Sequence, residues 1–127
     1  MRDGSYIVAG YAKSANGDVT NNHGNYDMWV VKLTTSGSIQ WKQCYGGTKD
    51  EQASGIQHTI DGGFIMIGYT TSKNDDFSNN NDTLIGNIWV VKLTSTGTIQ
   101  WQKTFGGSDY DRGDKIRQTS DGGFVFT

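Results

Sequence analysis

The sequence predicts an all-β protein, and three observations in its 127 residues support that class. Glycine occurs 18 times and aromatic side chains make up 12% of the chain, a composition typical of strands joined by tight turns. Proline is absent, and short apolar runs alternate with glycine-containing turns. The third observation is an internal repeat, which returns these runs in the same order and therefore decides the architecture.

The repeat is clearest in two pairs of similar runs. WVVKLTTSGSIQW at 29–41 returns as WVVKLTSTGTIQW at 89–101, sixty positions later. Upstream, DGSYIVAGY at 3–11 matches DGGFIMIGY at 61–69 with a shift of fifty-eight, and the difference falls in a polar loop, where insertions are best tolerated. The whole chain, 1–127, then forms a single segment with repeat 1 at 3–60, repeat 2 at 61–120 and a truncated third repeat at 121–127.

Four strands are expected in each repeat. In the one copy that is fully represented they are 53–60, 63–70, 87–94 and 98–105, and short glycine-containing turns join the first pair and the last pair. The middle two runs are apolar at both alternating sets of positions, which indicates a sheet covered on both faces. A four-stranded sheet covered by its own neighbours is typical of a β-propeller blade, so the chain holds two blade equivalents. A β-solenoid is the alternative, although its coils are usually much shorter.

The runs SDGGF, IGYTTS, WVVKL and GTIQWQKTFGG resemble the tandem repeats of about sixty residues found in large, often exported bacterial proteins of the β-propeller class. The resemblance implies the same fold, and it implies little chemistry because most members have no assigned activity. It places longer relatives outside the cell or on its surface and leaves the location of this chain open. The order of runs also resembles WD-type blades, which implies that 53–60 and 113–120 line a central channel.

Two blade equivalents cannot close a ring, because propellers need about four to eight blades. We expect the last innermost strand, 113–120, to complete the blade whose other three strands begin a second copy of the chain. The predicted partner is therefore the chain itself, as a homotrimer of six blades in preference to a homotetramer of eight. Residues 124–127 duplicate a place that 6–9 of the neighbouring copy already fills, so we expect them to be displaced or disordered, or else to displace the N-terminal strand.

Charge and cysteine content exclude several classes of protein. The formal net charge of -2 argues against a nucleic-acid binder, which normally carries a basic face. The composition indicates no membrane segment, and the opening run MRDGSYIVAG predicts no secretion signal. Cys44 is the only cysteine, so an internal disulfide is excluded.

The polar loops indicate where a ligand binds. Loops 46–55 and 106–115, together with the longer loops 13–26 and 71–86, should emerge on one face of blades with this connectivity. The leading functional prediction is a non-enzymatic scaffold that binds a small ligand, a glycan or a protein on this face. Packing between strands is the alternative role for the two tryptophans among the candidates. The candidate ligand-binding residues are Trp41, Trp101, Asn22 and Asn80.

Carboxylates in the same loops could hold a divalent cation. Asp18 and Asp76 each begin a stretch of carboxylate, hydroxyl and amide oxygens, the ligands that calcium prefers, although the same residue types also form Asx and Ser/Thr turns. An acidic cluster precedes the predicted channel strands, and a ring would multiply it and recruit calcium, zinc or manganese. A solvated rim with surface salt bridges is the alternative. The candidate metal ligands of the acidic cluster are Asp50, Glu51, Asp109 and Asp114, with Asp111 beside them.

The alternative function is a metal-dependent hydrolase acting on an ester or phosphoester, with a site assembled at the channel mouth between chains. In this hypothesis His58, on an innermost strand, and Asp111 activate a water molecule. A nucleophilic triad is not supported, because Cys44 lies on a predicted outermost strand, far from the strand that carries His58.

Overall fold

The structure is a computed structural model, and it describes residues 3–72 and 86–127. The regular elements named in these residues are all β-strands, and no helix there is long and apolar enough to cross a membrane. The all-β prediction is therefore confirmed. The strands are β1 (Tyr6–Ala12), β2 (Asp27–Leu33), β3 (Ile39–Tyr45), β4 (Glu51–His58), β5 (Phe64–Thr70), β6 (Asn87–Leu93), β7 (Ile99–Phe105), β8 (Ile116–Gln118) and β9 (Phe124–Phe126).

The strands form three antiparallel sheets in chain order. Sheet 1 is β1-β2-β3, sheet 2 is β4-β5-β6-β7, and the third sheet is the β8-β9 hairpin. Four strands in the second repeat are confirmed, although β4 begins and ends two residues earlier than the expected run 53–60. These sheets form an open arrangement within the described ranges, not a closed ring.

The same tight turn joins β4 to β5 and β8 to β9. In the first, the Thr59 N–H donates to Gly63 O over 3.0 Å, and Gly62 adopts a φ of 83° that side chains rarely allow. In the second, the Thr119 N–H donates to the backbone oxygen of Gly123, the counterpart of Gly63, over 2.8 Å. The DGG sequence therefore specifies one local structure in both repeats.

Two apolar cores separate the three sheets. The first contains Met28 and Val30 of sheet 1 together with Trp89 and Val91 of sheet 2. The second contains Ile65, Ile67 and Val90 from the other face of sheet 2, packed with Ile116 of the hairpin. The apolar pattern on both faces of β5 and β6 is thus confirmed to mean burial on both faces.

The contact between consecutive sheets is used twice with nearly the same geometry. Trp41 of sheet 1 meets Phe64 of sheet 2 edge-on, with ring centres 5.8 Å apart and planes at 69°. Sixty positions later, Trp101 meets Phe124 of the hairpin at 5.7 Å and 63°. The hairpin therefore sits on sheet 2 as sheet 2 sits on sheet 1.

The C-terminal hairpin differs from the expectation for residues 124–127. Phe124, Val125 and Phe126 are ordered as β9 and pair with Gln118, Arg117 and Ile116 of β8. The innermost strand expected at 113–120 is correspondingly short, since regular pairing in β8 covers Ile116–Gln118. Within one copy, β9 is the nearest strand that can pair with the edge of β8. Residues 124–126 therefore stay in place.

Candidate functional site

The strand ends that flank both kinds of polar loop lie at one end of the sheets, as the connectivity predicted. β1 ends and β2 begins there, β3 ends and β4 begins there, and β5 ends and β6 begins there. We call this the loop end. The opposite end, which we call the turn end, carries the tight turns at 34–38, 59–63 and 94–98.

His23 and Asp27 form a hydrogen-bonded pair at the loop end. Asp27 is fully buried at the start of β2, and its Oδ2 lies 2.6 Å from His23 Nδ1. The same oxygen accepts the backbone N–H of His23 over 2.8 Å. A carboxylate accepts only, so this contact selects the imidazole tautomer with the proton on Nδ1 and leaves Nε2 as the basic nitrogen. His23 itself is 32% exposed, so a ligand can reach the ring.

A second buried carboxyl group lies at the start of β4. Glu51 is fully buried; its Oε2 accepts the Gly47 N–H over 2.8 Å and its Oε1 accepts the Thr70 hydroxyl over 2.8 Å. Burial raises the pKa of Glu51 above its usual value, and the nearby Asp27 charge acts in the same direction. Hydrogen bonds from Ser72, Gly47 and Thr70 oppose that shift without reversing it.

The two carboxyl groups face each other across Gly46. A Cβ at this position would lie 2.5 Å from Glu51 Oε2 and 2.8 Å from Asp27 Oδ1, so only glycine leaves room for both. Asp27 Oδ1 is buried and has no hydrogen-bond partner among the described residues. An unpaired buried acceptor is costly, so this pair is a strained feature of the loop end.

The second repeat keeps the framework and changes the charges. Asp111, the counterpart of Glu51, accepts the Gly107 N–H over 2.9 Å through Oδ2. Asn87 stands where the first repeat has Asp27, and it contacts the space beside Gly106 in the same way. The glycine-to-carboxylate bond is therefore architectural, whereas the histidine-bound carboxylate belongs to repeat 1. The aligned position for His23, Asn81, lies outside the described residues.

A cavity of about 400 Å³ opens beside His23. Its lining includes Cys44, Gln43, Thr96 and Thr98. Burial raises the pKa of the Cys44 thiol to about 11, and the Asp27 charge adds to the effect. The thiol is therefore protonated near neutral pH and is a poor nucleophile.

The two predicted catalytic residues lie at opposite ends of sheet 2. His58 ends β4 at the turn end, where its ring packs on Phe64 with centres 4.6 Å apart, and burial lowers its pKa. Asp111 lies at the loop end, bonded through its N–H to Gly86 O over 2.7 Å. The ends of an eight-residue strand such as β4 are about 20 Å apart, so one chain does not bring these side chains together.

The predicted metal ligands are dispersed, and each described one has its own environment. Asp18 pairs with Lys42 at 2.8 Å, and Asp50 accepts the Asn25 amide over 2.6 Å. Asp109 and Asp114 are exposed, and Asp76 lies outside the described residues. Within residues 3–72 and 86–127, no three His, Cys, Asp or Glu side chains are placed to hold a metal ion.

The predicted ligand-binding residues have structural roles where they are described. Trp41 donates from Nε1 to Ser95 O over 3.1 Å while it packs between the sheets. Trp101 is partly exposed and lines the groove at the hairpin. Asn22 folds its loop by donating to Ala12 O over 2.8 Å and accepting the Gly24 N–H over 2.9 Å. Asn80 lies outside the described part of the chain.

No known protein family matches this chain, and no curated protein matches it.

Proposed function

We propose that this chain is a repeat-built scaffold of the β-propeller class, which assembles with copies of itself and presents its loop end as a binding surface. One observation carries the proposal. The contact between sheet 1 and sheet 2 is repeated between sheet 2 and the hairpin, as the Trp41–Phe64 and Trp101–Phe124 pairs show. A contact that repeats head to tail generates a ring when its rotation closes, and an open filament when it does not; we propose the closed case.

One extreme of the stack is an apolar sheet face, which we call the open face. Tyr6 and Val8 of β1 lie on it with 58% and 50% exposure, and their register partners Leu33 and Val31 share the face. Trp29 and Ile39 also belong to it by pairing. Lys42 shares this face through its pairing with Val31, so the face is apolar on β1 and β2 and carries a charge on β3. Exposed apolar area of this kind favours an association site.

The other extreme is an apolar groove of about 430 Å³ between β7 and the hairpin. Trp101, Phe105, Ile116, Phe124 and Phe126 line it. In the equivalent core between sheets 1 and 2, the chain places Trp89, Val91 and Leu93. The counterparts of those three residues in repeat 1 are Trp29, Val31 and Leu33, all of which lie on the open face.

The open face of one copy therefore carries the residues that the groove of another copy lacks. This complementarity favours a second copy of the chain as the partner. Each copy contributes two blade equivalents, so three copies give a six-bladed ring and four give an eight-bladed ring. We expect the homotrimer.

Light scattering tests the assembly directly. The expected mass is three times that of the chain, with four times as the alternative ring, and a monomer at high concentration would contradict the proposal. Val8→Lys places a charge on the open face and should give a monomer with an unchanged circular dichroism spectrum. Ser36→Lys, at an exposed turn, is the matched control and should leave the oligomer intact.

Ester hydrolysis is a second candidate function, and the His23–Asp27 pair is the observation that favours it. A histidine held through Nδ1 by a buried carboxylate is the arrangement of a general base. Turnover of activated esters that is lost in His23→Ala but kept in His58→Ala would support it. Turnover that is unchanged in His23→Ala would exclude His23 as the general base. A parallel assay with a chelator reports separately whether a metal ion takes part.

A further inference from the structure

We propose that β9 holds, on β8, the place that β1 of a second copy takes in the assembled protein, so that assembly proceeds by strand exchange. This inference rests on the proposed self-assembly and adds its mechanism. The edge is that of β8, and the partner strand is β1 of a second copy.

The register shows that β9 and β1 are copies of the same strand. In sheet 2, β4 pairs with β5 through Ile56 opposite Met66 and His58 opposite Phe64. In the hairpin, the residues sixty positions later pair identically, with Ile116 opposite Phe126 and Gln118 opposite Phe124. The repeat makes Tyr6 and Val8 the counterparts of Phe64 and Met66, so β1 fits the β8 edge in that same register.

The edge of β1 is available for this pairing. β1 pairs with β2 on one side, and sheet 1 ends at β1. In sheet 2, the corresponding edge of β5 is covered by β4. Within residues 3–72 and 86–127, no strand of sheet 1 takes the place that β4 has in sheet 2, and β8 is the β4 equivalent of the hairpin. An edge with unpaired backbone groups is a template for a strand of another chain.

The side chains at the turn end support the same exchange. In repeat 2, Lys92 lies 2.8 Å from Asp61, and Thr59 donates its hydroxyl to that carboxylate. In repeat 1, the corresponding pair, Lys32 and Asp3, is looser at 3.6 Å. Within the described residues of repeat 1, no threonine precedes Asp3 to fill the Thr59 role.

A second copy supplies the missing threonine. Thr119 follows β8 directly and now donates its hydroxyl to Asp121 of its own hairpin. On exchange, Asp3 of the incoming copy takes the place of Asp121, so one threonine-to-carboxylate bond replaces another. The Lys32–Asp3 pair should then close to the geometry of Lys92 and Asp61.

Exchange favours β1 over β9 because β1 is longer and is already part of a larger sheet. β9 has three paired residues and no strand on its other edge within the described residues. β1 has seven residues and is already paired along its length with β2. Replacing β9 by β1 therefore joins β8 to a three-stranded sheet and also brings the open face onto the groove.

The exchange requires β9 to leave before β1 enters, so β9 slows assembly. If the released state amounts to about a tenth of the chains, removal of β9 raises the apparent association rate and affinity about tenfold. Deleting residues 123–127 should therefore speed assembly by about that factor, as followed by time-resolved light scattering. Deleting 113–127 removes β8 as well and should abolish the assembly.

Paired cysteines test the register itself. The double variant Tyr6→Cys with Gln118→Cys should form a disulfide between copies, because directly opposite residues of antiparallel strands have Cα atoms about 4.5 to 5.5 Å apart. Tyr11→Cys with Gln118→Cys is the matched control, displaced five residues along the same strand, and should not cross-link. The native thiol of Cys44 is buried and does not compete.

The outcomes separate this inference from the proposed function. An oligomer that lacks the 6-to-118 cross-link and assembles at the same rate without residues 123–127 overturns strand exchange and leaves self-assembly standing. A chain that stays monomeric at every concentration overturns both. Cross-linking in the first variant alone, with faster assembly of the shortened chain, supports the exchange. Circular dichroism confirms that each variant is folded.

Discussion

His23 Nδ1 lies 2.6 Å from Asp27 Oδ2 at the point where loop 13–26 rejoins sheet 1. The contact ties an exposed imidazole to a carboxylate that is fully buried. The other oxygen of Asp27 faces Gly46 and the Glu51 carboxyl, so one side chain connects the loop surface to the buried end of two strands. Changes at Asp27 should therefore be visible both in the state of His23 and in the stability of the fold.

Asp27→Asn should change the histidine more than the fold. Asn87 occupies the equivalent place in repeat 2, so the framework accepts an amide, and we expect a loss of about 1 kcal/mol or less in the free energy of unfolding. The amide can donate to His23 as well as accept, so the preference for the Nδ1–H tautomer should be lost. Nitrogen NMR of the imidazole measures the tautomer. An unchanged Nδ1–H form in Asp27→Asn would show that other contacts orient the ring.

Glu51 should make the protein less stable as the pH rises. Its pKa is raised in the folded state, so the folded chain holds a proton more tightly than the unfolded chain does. The stabilisation is fully present below the unfolded value of about 4.5 and is lost as the pH rises through the folded pKa. Glu51→Gln removes this dependence.

Urea denaturation of both proteins across this pH range measures the effect. The unfolding midpoint of Glu51→Gln should rise relative to the native protein as the pH increases. A constant difference between Glu51→Gln and the native protein at every pH would contradict a raised pKa at this position.

The sheets were predictable because their signals are local and repeated. The apolar runs of β5 and β6 on both alternating sets of positions require cover on both faces, and the structure supplies it from sheet 1 and the hairpin. The DGG runs specify the same turn wherever they occur. The sequence of one repeat is therefore enough to predict the number, order and burial of its strands.

The buried polar cluster was not predictable in the same way. Asp27 and Glu51 each stand beside a polar loop, where carboxylates are usually solvated, and their burial depends on Gly46 from another segment. The pairing of β8 with β9 was not expected either, because β1 of a neighbouring copy was the predicted partner of β8. His58 and Asp111 lie at opposite ends of sheet 2 within one chain, a separation set by the length of β4, and their meeting between chains stays a prediction.

The two side chains of the Lys92–Asp61 ion pair should differ in how much their replacement destabilises the fold. Replacing Asp61 should cost more than replacing Lys92. Lys92 is 4% exposed, and its ammonium also donates to Gln100 Oε1 over 2.8 Å and to Leu93 O over 3.1 Å. The Asp61 side chain is 52% exposed. Asp61→Asn leaves a buried ammonium without its counter-charge and should cost about 2 kcal/mol, less than for a fully buried pair because solvent screens the carboxylate.

Lys92→Met should cost less, since the methionine is apolar and the remaining carboxylate can be solvated. The hydrogen bond from Lys92 holds the pKa of Asp61 well below its usual value. The stabilisation from this carboxylate is therefore present above the unfolded value of about 3.8 and is lost as the pH falls below it. Chemical denaturation at pH 7 and pH 3 measures both effects. An equal loss in the two variants at pH 7 would contradict the unequal burial.

Gly46→Ala should be among the most destabilising single changes at the loop end. The added methyl group would lie 2.5 Å from Glu51 Oε2 and 2.8 Å from Asp27 Oδ1, so a buried carboxyl group must move and give up its hydrogen bonds. Overpacking together with the loss of a buried hydrogen bond costs about 2 to 4 kcal/mol. Gly107→Ala, one residue after the Gly46 counterpart Gly106, is the control in repeat 2, because no atom lies within 4 Å of the position its Cβ would take. Thermal unfolding of the two variants should therefore differ by several degrees, and similar melting temperatures would show that the Asp27–Glu51 pair relaxes around the methyl group without loss.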